Sequence, residues 1–430
     1  MAQRPAAVHR SWLPEANDPT TDFPLTHLPY SAFRVAKGQH LCVAIGIHLL
    51  DLYACAETGL IPSNLNVACQ SPTLNALMAK GPKAWLLLHE TLTRLLATDS
   101  PHQSKLEEAL HSIAGATLIR PIDIPDYTDF YASIHHATRV GQLFRPDQPL
   151  LPNYKHIPIG YHGRASSIVT SGTPILRPVG QTRPDAGDEM PNVLPTKCLD
   201  YELELAFYIG QTNPLGSSVP VDKAADSIFG CSLLNDWSAR DIQSWEYQPL
   251  GPFLSKSFAT SVSAWVTPMA ALEPFFISTH SRPDTDPKVL KYLELRSKER
   301  KIPDLKFEVF LTTRLMRENK LSPFRLSQSS LRDLYWTPAQ LVAHHTINGC
   351  NLQVGDLLAT GTISGPQESS AGCLLELTRN GSRPITLPTG EVRSFLSDGD
   401  EITLRGFCEK RGHPRIGLGE CRATILPARP

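Results

Sequence analysis

In the stretch LDYELELAFYIG, Glu202 and Glu204 stand two positions apart, and carboxylates so placed either face water or bind a hard cation. Tyr201, Leu203, Leu205 and Phe207 alternate with Asp200, Glu202, Glu204 and Ala206, the period of a strand with one apolar face. The two glutamate Cα atoms are then roughly 6.6 Å apart, so their charges repel unless solvent or a cation answers them. By itself a Glu-x-Glu strand reads as a solvated face. A metal site requires further oxygen ligands from elsewhere in the chain, and Asp200 acquires no role beyond that of a strand-end carboxylate.

Two other segments offer such ligands. In LLNDWSARDIQSWEYQPLGP, Asp236, Arg240, Gln243 and Tyr247 follow in steps of four, three and four, which predicts one helical stripe. Trp237, Asp241 and Trp245 form the neighbouring stripe, and the apolar LLN reads as a buried strand that delivers Asp236 to its end. In DYTDFYASIHHATRVG, a helix starting at Asp129 places His136 two turns up the same face, with Tyr131 and Arg145 near its ends. Spacing does not choose between His135 and His136, and a histidine satisfied in a core is the blander reading of either. Asp129, Glu202, Glu204 and Asp236 make four carboxylates without a soft partner, the donor set of Ca2+ or Mg2+. Other motifs are weaker: RIGLGE lacks a strand–turn–helix context, Cys408 and His413 lack partners for zinc, and neither a GxSxG nor a P-loop occurs.

These residues must be carried by a chain of 430 residues, long enough for two or three domains. A formal net charge of −1 with 19% charged residues creates no field that would gather nucleic acid or anionic lipid, so neither is expected as a partner. Nine scattered cysteines without a CxxC pair read as free thiols in a reducing compartment. The N-terminus has no apolar leader, and LCVAIGIHLLDLYAC is too short and polar to span a bilayer. A soluble, cytoplasmic protein is the expectation.

With 37 Pro and 27 Gly spread along the chain, many short strands are expected. Residues 1–118 read as an N-terminal domain. It runs as Pro-rich loop to about Ile45, with VAIG and LLDL as two strands. Three helices follow: SPTLNALMAKG capped by Ser71, GPKAWLLLHETLTRLLATD, and SPHQSKLEEALHSIAG ending near Gly115. Residues 119–430 read as a β-rich domain with strands in SSIVTSGTPIL, YELELAFYIG, SVSAWVTPM, FEVFLTTRL, LLATGTIS and EITLRGFCE. The polar segment from Ser281 to Lys301 reads as an exposed excursion.

Longer blocks go beyond spacing. DYTDFYASIHHATRVG, LDYELELAFYIG, NDWSARDIQSWEYQPLGPFLSKSF, GDLLATGTISGP and FLSDGDEITLRGFC, together with the N-terminal DFPLTHLPYSAF, resemble the fumarylacetoacetate hydrolase family over nearly the whole chain. The resemblance implies a mainly β fold with some α, made of an N-terminal SH3-like barrel domain and a C-terminal β-sandwich roll, assembled as a homodimer. It implies hydrolysis of the C–C bond of 4-fumarylacetoacetate, a diketo acid, at the end of tyrosine and phenylalanine catabolism. It further implies calcium ligands at Asp129, Glu202, Glu204 and Asp236, with a magnesium position at Asp236, Lys256 and Thr260. The base falls on His136, oriented by Glu376. Arg240, Gln243 and Lys256 fall on groups that stabilise the oxyanion and leaving group, and Tyr131, Arg145, Tyr161, Gln243, Tyr247 and Thr362 on substrate contacts. Ser255 and Ala259 replace family glycines beside Lys256, and residues 185–196 and 281–304 match poorly.

The residue types suit that reaction. A hard cation chelating a β-diketone polarises the attacked carbonyl and stabilises the departing enolate, imidazole titrates near neutrality and can take a proton from water, and a carboxylate holds its tautomer. Two rivals stand beside this reading: an acylpyruvate or fumarylpyruvate hydrolase of the same superfamily, and a non-catalytic, metal-stabilised binding protein on the same fold.

Overall fold

The computed structural model describes residues 10–184, 187, 189–279, 282–296 and 301–429. The N-terminal segment pairs β1 (Tyr30–Val35) with β2 (Gly38–Ile45), and β2 with β3 (His48–Asp51), through short turns. Part of the stretch read as loop is therefore strand. Asp51 ends β3 and caps α1 (Leu52–Glu57), its carboxylate accepting from Tyr53 N at 2.8 Å. The expected helix with Pro at its start is α2 (Pro82–Leu96). The two flanking helices are shorter than their sequence patterns suggested. One covers only Asn75–Met78, with Leu74 rather than Ser71 at its cap. The other covers Gln103–Glu107, after which the chain turns extended as β4 (Leu110–Ser112) to pair with β3. With β5 (Leu118–Ile119) these strands form a sheet in the order β4-β3-β2-β1-β5.

The rest of the chain builds two larger sheets. Its main elements, in order, are β6 (Tyr127–Phe130), α3 (Ile134–Phe144), β7 (Leu203–Ile209), β8 (Ile228–Asp236), α4 (Arg240–Glu246), α5 (Leu254–Ser257), β9 (Thr260–Val262), β10 (Lys306–Thr312), β11 (Leu357–Ala359), α6 (Leu374–Leu377), β12 (Glu401–Cys408) and β13 (Ile416–Leu426). An eight-stranded sheet runs from Gly160–Gly163 through β6, β11, β7, β8 and β9 to Ile168–Thr170, with Thr267–Pro268 beside β8. A five-stranded sheet runs from Phe324–Ser330 through β10, β12 and β13 to Ile175–Leu176. Leu205, Phe207 and Leu233 of the first sheet and Phe307, Val309, Leu404 and Leu418 of the second share one core. The fold is thus mainly β with some α, as expected.

The other face of the eight-stranded sheet is where the Glu-x-Glu pattern misleads. Ala206, Tyr208, Phe229, Leu234 and Val262 on that face join one core with Leu41, Val43, Leu50, Leu88 and Leu92 of the N-terminal sheet and helices. The face that alternation alone assigns to solvent is therefore dry, and every residue of β7 is buried. Burial on both faces follows from this second layer, which a strand's own sequence does not reveal.

Two local expectations also change. Asp129 lies inside β6 rather than at a helix start, and α3 is capped by Ser133, whose hydroxyl accepts from His136 N. Asp236 ends β8, and the helix begins only at Arg240, so the stripe holds for Arg240, Gln243 and the following Tyr247 but not for Asp236. The excursion at 281–301 carries anchors among its described residues: Leu293 and Leu295 are buried, Asp286 accepts from Tyr335 at 2.9 Å, and the Arg282 guanidinium lies 4.2 Å from the Tyr335 ring centre. Ser281 and residues 297–300 lie outside the described residues.

Candidate active site

The acidic residues meet at one end of the eight-stranded sheet because neighbouring strands place them there. β7 begins, and β6, β8 and β11 end, at this edge. Leu203 pairs with Asn235, Asp236 with Thr260, Ala206 with Ala359 and Ala359 with Asp129. Carboxylate oxygens of Asp129, Glu204 and Asp236 all lie within 4.8 Å of one another, and all three residues are buried. Gly361 N donates to both Asp129 Oδ1 and Glu204 Oε2 at 3.1 Å. Tyr161 donates its hydroxyl to Asp236 Oδ2 at 3.0 Å, and Thr260 Oγ1 donates to Asp236 Oδ1 at 3.3 Å.

Lys256 reaches the same cluster, bonding Glu202 and Asp236 through Nζ. It is aimed from α5 by Glu246, whose carboxylate accepts from Phe253 N at 2.7 Å and Ser255 N at 2.9 Å. Ser255 and Ala259 are both buried and do not divert Lys256 or Thr260 from Asp236.

This donor set fits a divalent cation. Among the described residues, Asp129, Asp200, Glu202, Glu204 and Asp236 are buried carboxylates whose recorded buried ion-pair partners are Arg240 and Lys256, five potential negative charges against two positive. Glu204 Oε1 is buried and has no hydrogen-bond partner among the described residues. Burial and the Asp236 charge push the Asp129 carboxyl up to about 7, and burial with the Asp129 and Asp236 charges pushes Glu204 well above the carboxylate range. Such a cluster lacks positive charge, and its ligands are all oxygen.

A second group lies at the turn that follows β11. His136, on α3, is buried, and its Nδ1 is 2.6 Å from Glu376 Oε1 on α6. Glu376 also accepts from Ser364 Oγ at 2.7 Å, Cys373 Sγ at 3.3 Å and Arg139 Nη1 at 3.0 Å. Burial works to raise the Glu376 carboxyl, but the adjacent imidazole and these donors override it and hold it at about 2. An ionised carboxylate at Nδ1 leaves Nε2 as the nitrogen that can accept a proton. His135, which spacing could not exclude, is half-buried and, among the described residues, has no carboxylate within ion-pair distance as His136 has.

Arg240 is tied to the acidic group. Its Nη1 donates to Gln243 Oε1 at 3.0 Å and lies 2.8 Å from Glu202 Oε1. Tyr131 sits edge-on to His136 with ring centres 5.2 Å apart. Thr362 is buried on the turn after Gly361. Arg145 caps the end of α3 with Nε buried and without a hydrogen-bond partner among the described residues, a donor available to an anionic ligand. Tyr247 follows α4, half-buried. Arg139, Ser364 and Cys373 escaped the sequence reading, although each lies in a block that carried the resemblance or within three residues of Glu376. Asp200, read as a strand end without a role, is instead fully buried and bonded to Arg240 Nε at 3.0 Å.

A β-dominated scaffold that gathers acidic residues at a sheet edge beside a His–carboxylate pair defines a class of metal-site hydrolases. Comparison with known proteins places the chain within it more narrowly. Residues 127–426 match the family described as "Fumarylacetoacetate (FAA) hydrolase C-terminal", and residues 26–121 match "Fumarylacetoacetase N-terminal". The chain belongs to the fumarylacetoacetate hydrolase family. It is 47% identical to the fumarylacetoacetase of Bos taurus over 97% of this chain and 99% of that one. It is 46% identical to that of Caenorhabditis elegans (95% and 97% covered) and 43% identical to that of Arabidopsis thaliana (99% and 100%). A solved fumarylacetoacetate hydrolase from Exiguobacterium antarcticum superposes with a TM-score of 0.53 at 17% identity, over 94% of this chain and all of that one, a likeness of fold.

Proposed function

We propose that the protein hydrolyses the C–C bond of 4-fumarylacetoacetate, giving fumarate and acetoacetate. It is a hydrolase acting on a carbon–carbon bond of a ketonic small molecule. The observations that carry the reading are the buried His136–Glu376 pair and the cluster of Asp129, Glu204 and Asp236, to which Lys256 ties Glu202, within a chain 42–47% identical over nearly its full length to curated fumarylacetoacetases. The acylpyruvate or fumarylpyruvate rival accommodates this less well, since the match includes the N-terminal region as well as the C-terminal one, and a non-catalytic binding protein gives no reason for His136, Glu376, Arg240, Gln243 and Lys256 to occur together.

Asp129, Glu202, Glu204 and Asp236 are the residues that would hold Ca2+; at the Mg2+ position of Asp236, Lys256 and Thr260, the oxygens of Asp236 and Thr260 would ligate, while the Lys256 ammonium, a donor to Asp236, would lie beside the ion without ligating it. When bound, a divalent cation supplies Lewis-acid polarisation of the diketone oxygens. The chain's own groups do the rest. His136 takes a proton from water through Nε2, and Glu376 stabilises the imidazolium that results. Water oxygen bonds to the attacked carbonyl carbon while Arg240, Gln243 and Lys256 donate to the developing oxyanion. The oxyanion collapses to the carboxyl of fumarate as the C–C bond breaks, the bond's electron pair leaves on the acetoacetate fragment as an enolate, and the imidazolium returns a proton to the acetoacetate carbon that carried the broken bond. Arg145, Tyr131, Tyr161, Tyr247 and Thr362 bind the acid and its chain. The dimeric assembly, the cytoplasmic location and the place in tyrosine and phenylalanine catabolism belong to the same proposal.

One assay tests the catalytic reading. Loss of diketone absorbance with 4-fumarylacetoacetate, an acylpyruvate and fumarylpyruvate is followed with and without a chelator. Turnover of the first substrate, lost on chelation, is expected; preference for a pyruvate substrate, or no turnover of any, overturns it.

A further inference from the structure

Asp200 carries more bonds than any role as a strand end requires. Its side chain is wholly buried. Oδ1 accepts from Leu374 N at 2.8 Å and Tyr201 N at 2.9 Å. Oδ2 accepts from Leu375 N at 2.9 Å and Arg240 Nε at 3.0 Å, and lies 2.9 Å from Arg240 Nη2. Leu374 and Leu375 open the short helix α6 that holds Glu376. The same carboxylate therefore fixes the guanidinium on one side and, on the other, the turn that presents the general-base partner.

The backbone around Asp200 reinforces this arrangement. Leu199 and Asp200 pair with Ala239 and Ser238, immediately before Arg240, and Arg240 N donates to Cys198 O at 2.9 Å. Leu203 N donates to Gly372 O at 3.0 Å, just ahead of α6. Arg240 has few ways to move: Nε and Nη2 face Asp200, and Nη1 faces Gln243 and Glu202. Its charged fork is oriented before substrate arrives, the condition under which a donor lowers a barrier rather than merely binding.

We infer that Asp200 is a positioning residue, which sets Arg240 and the Glu376–His136 pair in one fixed relation so that oxyanion donor and base act on the same carbonyl. The inference rests on the catalytic roles proposed above for Arg240 and His136. It makes no contact with substrate necessary for Asp200 itself.

The test is kinetic, on the full-length protein with its metal. Asp200→Asn keeps the shape but replaces one acceptor oxygen with a donor. It is expected to lower kcat roughly 10- to 100-fold, the range for partners that orient reacting groups, with KM changed by less than about threefold, because the lost contacts matter in the transition state. In an Arg240→Ala background the same substitution is expected to cost clearly less than it does alone, because the share carried through Arg240 is already lost while the share carried through α6 remains. Metal content and the folded fraction, measured by elemental analysis and circular dichroism, are expected to stay near wild type. An unchanged kcat, an effect confined to KM, or a full additive loss in the Arg240→Ala background overturns the inference. If Asp200→Asn does not fold, Asp200→Glu is judged by the same criteria, and failure of both to fold assigns Asp200 a purely structural role and also overturns it. Failure of the underlying reading looks different: Arg240→Ala and His136→Ala would then themselves turn over normally.

Discussion

At the scale of single residues, the His136–Glu376 pair and the carboxylate cluster make separable claims. His136→Ala is expected to reduce turnover by at least about 10²-fold, the usual worth of a positioned base, while the protein folds and retains its divalent ion. Turnover near wild type would remove His136 from the mechanism. Replacing Glu202 and Glu204 together by Gln acts on the other group. Calcium is expected to raise the melting temperature of the wild type and to leave that of the double variant unmoved, because two of four ligands are gone. Elemental analysis showing full metal content in the double variant would refute this. The sequence blocks made both groups visible, but not their mutual geometry: His136 and Glu376 are 240 positions apart and meet at 2.6 Å.

At the scale of elements, the site depends on how strands end. Gly361 follows β11 with φ of +74°, and a Cβ there would run into the Phe130 carbonyl. Its N–H is also shared by Asp129 and Glu204. Gly361→Ala is expected to lower the melting temperature and to weaken metal binding together; a variant with wild-type values for both would show that the turn tolerates the side chain. The helical reading of Asp129 and Asp236 failed here for a specific reason. Steps of three and four are compatible with a helix, but β6 and β8 each end just before a helix begins, so the acidic residue precedes the helical stripe instead of opening it.

At the scale of the molecule, the N-terminal layer matters because it dries the sheet. His27 ties the two together, with Nδ1 at 2.8 Å from Asp22 O and Nε2 at 2.9 Å from Thr267 Oγ1. Burial holds its imidazole down at about 4. A base whose folded pKa lies below its unfolded value of about 6.5 favours the folded state fully above that value, and the benefit is lost as pH falls to about 4, worth up to about 3 kcal/mol. His27→Gln is expected to flatten the fall in stability between pH 6.5 and 4, read from chemical unfolding at several pH values. An equally steep fall in the variant would exclude His27 as its source.

The sequence by itself determined the β-rich class, the helix at Pro82–Leu96, the strands at YELELAFYIG and EITLRGFCE, and the identity of the acidic and histidine candidates, because propensity, periodicity and residue chemistry are local. Three things were decided only by tertiary structure. The face of β7 that carries Ala206 and Tyr208 is dry because Leu41, Val43 and Leu92 from a distant part of the chain cover it. His136 rather than His135 pairs with Glu376 because α3 is packed with that side inward. Asp200 is tied to Arg240 and α6 because three segments distant in the chain converge on one carboxylate. Burial and long-range hydrogen bonds are properties of what lies across from a residue, and that information is not held in the residue's own neighbourhood.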